Sequence, residues 1–535
     1  MVVLCVTDPG EGERHVSEAA FLLRPGQMTF EELHAFWRLA RPLELAPEAR
    51  PAIRAAAETV ARIVEEGRRV YGISTGFGSL ARRSIPREQV AELQRRLVRS
   101  HQAGVGEPLP PRVVRLIMLL KLGSLGRGHS GIRMETLDLL MAMLNADLLP
   151  VIPAQGSVGA SGDLAPLAAL AATLMGEGEV FLETERLPAA EGLARLGLQP
   201  VELVAKEGLA LLNGSQVSCA LALDGLFQGL DVFAAAVIAG AMSTDAALGS
   251  DTPFDPRIHE IRGQPGQISL AAWLRDLLAD SPIRHSHLEC DRVQDPYSLR
   301  CQPQVMGASW DLLTNATQML VREANAVSDN PLVFSDSGEI LSGGNFHAEP
   351  VAMAADIIAI ALAEVASLAE RRIALLTDPN LSNLPAFLVA EPGLNSGFMI
   401  AQVTAAALAS EVKLRAHPAS IDSLPTSANQ EDHVSMATHG ARRLGAIAQD
   451  VGRIIAVELL CAAQGLDLRT PLDTSPRLKA AKDLVRAQVP MLGDDRELTP
   501  DIEKAWDLIR SGSFFKQLWR QESLNPFDLR PASSS

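Results

Sequence analysis

The chain has 535 residues, 47% of them hydrophobic and 21% charged, with a mean hydropathy of +0.11. That apolar content suits a large buried core and excludes intrinsic disorder and fibrous repeats. Lys and Arg number 48 against 64 Asp and Glu, a formal charge of −16 and a pI near 5.2, which argues against nucleic acid as a partner.

In chain order, residues 1–22 form a peripheral extension whose apolar run, Val2–Val6, is too short for a signal peptide and lacks a basic flank. Residues 23–220 alternate short helices with loops rich in Gly, Ser and Pro: Gly72–Gly78, Gly104–Pro111, Gly123–Gly131 and Pro153–Pro166. Residues 221–529 carry long helical patterns. The stretches Gly225–Met242 and Ala352–Ala369 are the most apolar, but Gln228, Asp231, Asp356 and Glu364 interrupt them. They are read as buried helices of a soluble protein rather than membrane spans.

From Gln304 to Asn330, apolar or small residues recur three or four apart at Val305, Ser309, Leu312, Ala316, Leu320, Ala324 and Val327, and Pro331 ends the pattern. Val351–Leu376 and Met436–Ala463 repeat it, both rich in the small Ala that lets helices approach closely. Strand signals are confined to Glu179–Glu183 and Leu332–Phe334, and residues 530–535 form a disordered tail. The expected fold is all-α, a bundle of long near-antiparallel helices with a loop-rich N-terminal region. Five widely spaced cysteines without a C-x-x-C pair (Cys5, Cys219, Cys290, Cys301 and Cys461) suit reduced thiols in a cytoplasm.

Only two tyrosines occur, Tyr71 in VYGISTGFG and Tyr297 in QDPYSLRCQPQ. Each is either a buried anchor satisfying a backbone group or a hydroxyl placed for acid–base work. The segment GSVGASGDLAPLA, Gly156–Ala168, is neither a dinucleotide fingerprint nor a nucleophile elbow. Ser161 or Asp163 can cap the helix that follows, with Pro166 in its first turn. The small residues around Ser161 admit a second chemistry. Lacking a Cβ, Gly162 lets its amide nitrogen approach the Ala160 carbonyl carbon. Attack there closes a five-membered ring. Loss of water from the ring and from Ser161 then leaves an exocyclic methylene, an electrophile that no ordinary side chain offers.

Ala160-Ser161-Gly162 within GSVGASGDLAPL resembles the signature of the aromatic amino-acid ammonia-lyases and aminomutases. In that family the tripeptide becomes 4-methylideneimidazol-5-one (MIO). The resemblance runs from about Leu23 to the last helices. It includes YGISTGFG, SHQAGVGEPL, KEGLALLNGSQ, QDPYSLRCQPQVMG, EANAVSDNPLVF, GGNFHAEP and SLPTSANQEDHVSM, all in order. Within the family it is similar to the branch acting on histidine. Ser100-His101 resembles that branch's ring-pocket pair, and Glu431 places a carboxylate where the phenylalanine and tyrosine branch carries a neutral residue. A buried His or Glu suits a polar imidazole and would be stranded beside phenyl.

The resemblance implies release of ammonia from L-histidine to give trans-urocanate, the entry to histidine degradation. It implies MIO as the only prosthetic group, with no external cofactor and no metal, and a homotetramer whose sites draw on three subunits. Tyr71 would take the β-proton. Arg300 would hold the substrate carboxylate with Asn213, a role its planar fork suits, although a structural ion pair is the alternative for Arg300. Tyr297 and Gln294 would line the site, Phe346 would support the prosthetic group, and His101 and Glu431 would orient the imidazole.

Ser74 stands where many members have Asn, a change expected to affect loop packing more than reaction type. His285, His287, Cys290 and Asp291 resemble metal ligands in composition but not in spacing, and are read as a solvated loop. His417 and His433 are read as packing residues. Two other readings remain: a lyase or aminomutase for tyrosine or phenylalanine, and an inactive helical scaffold.

Overall fold

The computed structural model describes residues 20–75, 85–288 and 293–519. Most of the N-terminal extension, Gly76 and Gly78, Cys5, Cys290, Asp291 and the tail therefore lie outside the described residues.

The fold is mostly helical, with a few short strands. Its axis is the helix Gln216–Ala246, all of whose residues are buried. Around it pack Gln302–Ala324, Glu349–Thr377 and Ala437–Asp467, with Pro265–Leu278, Met399–Arg415 and Thr499–Arg510 outside them. By length and composition Gln216–Ala246 and Glu349–Thr377 could each cross a membrane, yet most of the apolar window in each is buried against other helices.

Close approach of these helices depends on small residues. A Cβ on Gly225 would lie within 3.0 Å of the Leu444 side chain, and one on Gly452 would press into the Trp506 ring. Some of the charge in the interior is paired. Arg372 and Glu458, both fully buried, form a two-pronged bridge, and the Ser243 hydroxyl donates to the same carboxylate at 2.8 Å. The main hydrophobic core runs from Leu23 to Leu518, and a small second one gathers Val60, Ile73 and Val333.

The long helix expected to reach Asn330 ends at Ala324. Asn325 stops it by exchanging two hydrogen bonds with the Met28 backbone, at 2.7 and 2.8 Å. The next residues turn inward, where the carboxylate of buried Asp329 meets the buried Lys206 ammonium at 2.8 Å. No local periodicity reports those long-range partners.

The strands form small sheets: Phe21–Leu23 parallel to Leu43–Leu45, Glu179–Leu182 between Leu148–Pro150 and Glu185–Pro188, and Leu332–Phe334 with Glu339–Leu341. One more pair has consequences for the site. Val105–Pro108 runs antiparallel to Pro153–Gln155, which lays the chain leaving the helix Val90–His101 beside the chain entering Gly156.

Candidate active site

The Gly156–Asp163 loop is held from three sides. Asp163 precedes the helix Leu164–Leu174 without capping it, contrary to one expectation. Its fully buried carboxylate instead accepts from the hydroxyls of Ser157 (2.8 Å), Thr438 (2.6 Å) and Ser218 (3.0 Å), and from the Ser218 amide (2.7 Å). Four donors satisfy the lone pairs of a carboxylate taken out of water. On a second side the Met436 amide donates to Val158 O at 2.8 Å, and the Ser435 hydroxyl to Gly159 O at 3.1 Å. On the third the Ala348 amide donates to Gly159 O at 3.0 Å.

Within this frame Gly162 has φ +73°, a left-handed conformation that favours glycine. It pairs with Gly214 as an isolated parallel bridge, and a Cβ would lie within 2.6 Å of the Gly214 backbone carbon. The cradle therefore accepts glycine alone at this position. Ala160 is buried, and the Asn213 side-chain amide donates to the Ser161 carbonyl oxygen at 2.6 Å. The Ser161 hydroxyl donates to Glu431 Oε1, while Glu431 Oε2 accepts from the Thr426 hydroxyl at 2.6 Å. Glu431 is held by a tight turn in which Ser427, Ala428 and Asn429 all have positive φ and Thr426 pairs with Glu431. Three consecutive left-handed residues are strained, and such strain concentrates at functional sites. A bent glycine, a serine hydroxyl aimed at a carboxylate and a donor on the intervening carbonyl all fit the MIO precursor.

The remaining expected residues fall into two groups. His101 closes the helix Val90–His101 with its Nδ1 2.8 Å from Leu97 O, and three residues later Gly104 lies against Gly156. Phe346 is two residues before the Ala348 amide that holds Gly159. Tyr71 is half-buried, and the adjacent Gly72 packs on Leu209, in the short helix Glu207–Leu212 that leads into Asn213. Ser74 ties its own turn: its hydroxyl donates to Arg68 O at 2.7 Å and accepts from the Val70 amide at 3.0 Å.

Gln294 and Arg300 sit elsewhere. They line a cleft of about 560 Å³ with Arg284, His287, Asp295 and Cys301, and no residue of the Ser161–Glu431 group reaches it. Tyr297 is no buried anchor. It is 71% exposed, with the Arg300 guanidinium 5.0 Å from its ring centroid. Among the described residues no carboxylate pairs with Arg300, which leaves its fork open to a ligand. In the same cleft the His287 ring is engaged by Ile283 O (2.7 Å) and Gly249 O (3.2 Å).

Reading the sequence gave Asp163 a capping role only, and gave Thr426 and Lys121 none. Asp163 lay inside a quoted motif and could have been found. Lys121 had no local signal. It is fully buried, and its amine donates to Asn213 O at 2.8 Å and Gln216 Oε1 at 3.4 Å. Burial above all, with the nearby Lys206 charge, pulls its pKa down to about 7 against the opposing pull of Asp329 and Asp163.

A model of the aromatic amino acid lyase family matches residues 28–487. Histidine ammonia-lyase of Aromatoleum aromaticum is 58% identical over 495 residues, covering 92% of this chain and 94% of its own. Histidine ammonia-lyase of Burkholderia lata is 59% identical over 494 residues, covering 92% and 97%. Among solved structures, histidine ammonia-lyase from Trypanosoma cruzi superposes with a TM-score of 0.86 at 41% identity, covering 94% of this chain and 95% of that one. A tyrosine aminomutase from Streptomyces globisporus gives 0.89 at 36% identity, covering 94% and 99%.

Proposed function

The chain belongs to the aromatic amino acid lyase family, and from that premise we propose that it is a histidine ammonia-lyase, converting L-histidine to trans-urocanate and ammonia. The observation that carries this reading within the family is the Glu431 carboxylate seated against Ser161, where an imidazole N–H would find a charged acceptor. The relatives at 58 and 59% identity bear the same activity in their names. The fold alone does not choose a substrate, since the tyrosine aminomutase superposes as well as the histidine enzyme does.

Two barriers oppose the reaction: the amine is a poor leaving group, and the β-hydrogen is barely acidic. MIO, formed from Ala160-Ser161-Gly162, would supply an electrophilic carbon for the amine. The chain's own residues do the rest. Tyr71 takes the β-proton. Asn213 would hold the prosthetic group through its side-chain amide on the Ser161 carbonyl oxygen, a donor fixed in advance on that atom. His101 and Glu431 orient the imidazole, and Phe346 supports the prosthetic group. Arg300 binds the carboxylate through its fork, with Gln294 and Tyr297 beside it.

In one chain Arg300, Tyr297 and Gln294 lie in a different cleft from Ser161 and Glu431. We place them in the site of a neighbouring subunit of a cytoplasmic homotetramer. Apolar side chains left exposed on and beside the outer helix Met399–Arg415, namely Ile400 (62%), Val403 (54%), Leu414 (72%) and Ile421 (77%), suit burial between subunits.

The test is an ultraviolet assay of purified protein with L-histidine, L-phenylalanine and L-tyrosine in parallel. The expected result is a urocanate band from histidine and none from the others. Cinnamate or coumarate as the main product would overturn the substrate assignment while leaving the electrophile standing.

A further inference from the structure

The peptide on which the Ala160–Gly162 loop rests is itself held from behind. Lys121 lies on the helix Pro111–Leu125, whose residues from Leu116 to Leu125 are all buried. Among the described residues no carboxylate pairs with its amine, and the two groups it reaches are the Asn213 carbonyl oxygen at 2.8 Å and Gln216 Oε1 at 3.4 Å. Burying an amine whose hydrogen-bond partners are both neutral is unfavourable, and methionine of similar volume would avoid that cost. Packing therefore does not account for a lysine here.

Its contacts point to the reacting tripeptide. The Asn213–Gly214 peptide bridges two groups. On one side is Lys121, on its carbonyl oxygen. On the other is Gly162, whose missing Cβ would be 2.5 Å from Gly214 N. In a trans peptide the N–H points opposite to the C=O, so the donor face of Gly214 is turned towards Gly162 while the acceptor face is turned to the lysine. The next carbonyl, Gly214 O, accepts the Asp163 amide at 2.8 Å and so fixes the residue that follows Gly162. The Asn213 side chain meanwhile holds Ser161 O at 2.6 Å. Gln216, the other partner, is itself anchored by donating to the Ser328 hydroxyl at 2.9 Å. Lys121 thus pins both ends of the turn Asn213–Gln216, the surface against which Gly162 is bent.

We propose that Lys121 is a positioning residue for ring closure at Ala160-Ser161-Gly162 and for the donor on the Ser161 carbonyl during turnover, acting through the Asn213–Gly214 peptide; this rests on the reading of the tripeptide as an MIO precursor. The amine acts in two ways. It fixes the plane of the peptide, which keeps Gly162 in the bend that brings its nitrogen to the Ala160 carbonyl carbon. It also polarises that peptide, since a donor on a carbonyl strengthens the N–H of the same unit. In ring closure the Gly162 nitrogen bonds to the Ala160 carbonyl carbon, and two molecules of water leave. Lys121 exchanges no atom with the ring.

The experiment compares full-length wild type, Lys121→Met and Lys121→Arg by intact mass, steady-state kinetics with L-histidine, and oligomer size. Wild type should be lighter than its sequence by two waters. Most Lys121→Met protein should retain the full mass at unchanged oligomer size. Its matured fraction should show kcat lowered about tenfold or more at unchanged KM, because the lysine reaches a catalytic donor and not the substrate. Lys121→Arg, which keeps a long cationic donor, should restore the mass loss. A Lys121→Met protein that has lost both waters and turns over at the wild-type kcat would overturn the proposal. Should that variant not fold, Lys121→Gln carries the test. Its shorter, neutral donor should slow the appearance of the dehydrated mass after synthesis, and closure at the wild-type rate would overturn the proposal equally. A wild-type chain at full mass would instead refute the prosthetic-ring reading itself, which separates the two failures.

Discussion

Replacing Glu431 with Gln tests the substrate assignment at a single atom. The carboxylate now accepts from two hydroxyls, Ser161 on Oε1 and Thr426 on Oε2. Dehydration of Ser161 removes the first donor and leaves Oε1 facing the site, ready for an imidazole N–H. A Gln keeps the shape, with its amide able to donate to the Thr426 hydroxyl, but its one acceptor oxygen offers the imidazole a neutral hydrogen bond in place of a charge-assisted one. Losing a charge-assisted hydrogen bond costs about 1.5–3 kcal/mol, which is roughly 10- to 150-fold in kcat/KM. The assay is urocanate formation by Glu431→Gln, with its unfolding midpoint and intact mass measured beside it. Histidine turnover should fall by about that factor, while the midpoint moves little because Glu431 is only partly buried. Phenylalanine turnover, which never uses a carboxylate there, should hold or rise relative to histidine. Equal histidine kinetics for the two proteins would refute the pocket assigned to Glu431.

Co-expressing Ser161→Ala with Arg300→Ala, each inactive alone, should restore activity in mixed oligomers to about a quarter of the sites, because a composite site takes one residue from each chain type; no recovery would mean that each chain carries a complete site. His34 lies among the rings of Phe30, Trp37, Phe227 and Phe515, where burial first and Arg38 second lower its pKa to about 4. The unfolded chain then binds the extra proton between pH 6.5 and about 4, so stability falls as pH falls through that window, by at most about 3 kcal/mol. His34→Phe should flatten that part of a urea-midpoint profile, and an unchanged slope would refute the assignment. In the bundle, Arg372→Met strands the Glu458 carboxylate and should destabilise the protein by about 3–5 kcal/mol, whereas Arg372→Met with Glu458→Leu should recover most of the loss. Denaturant midpoints of the two variants decide it.

Much of this protein could be read along the chain, because the relevant physics is local. Apolar spacing identified the helices Glu349–Thr377 and Ala437–Asp467 to within a few residues, since a 3.6-residue period is written in neighbouring side chains. The tripeptide Ala160-Ser161-Gly162, proposed to form the electrophile, was equally legible, because ring closure needs only three consecutive residues and a glycine without a Cβ. What lay beyond reach depends on partners distant in sequence. The helix expected to run to Asn330 stops six residues earlier because Asn325 finds Met28. Asp163 caps nothing because Ser157, Ser218 and Thr438 claim it. Lys121 carried no signal at all, since its meaning is a carbonyl 92 residues away. The separation of Arg300 from Ser161 within one chain is likewise a product of folding: sequence motifs name the reacting groups, and only packing decides which of them meet, because the hydrogen bonds and burial that place them form between segments that no local pattern connects.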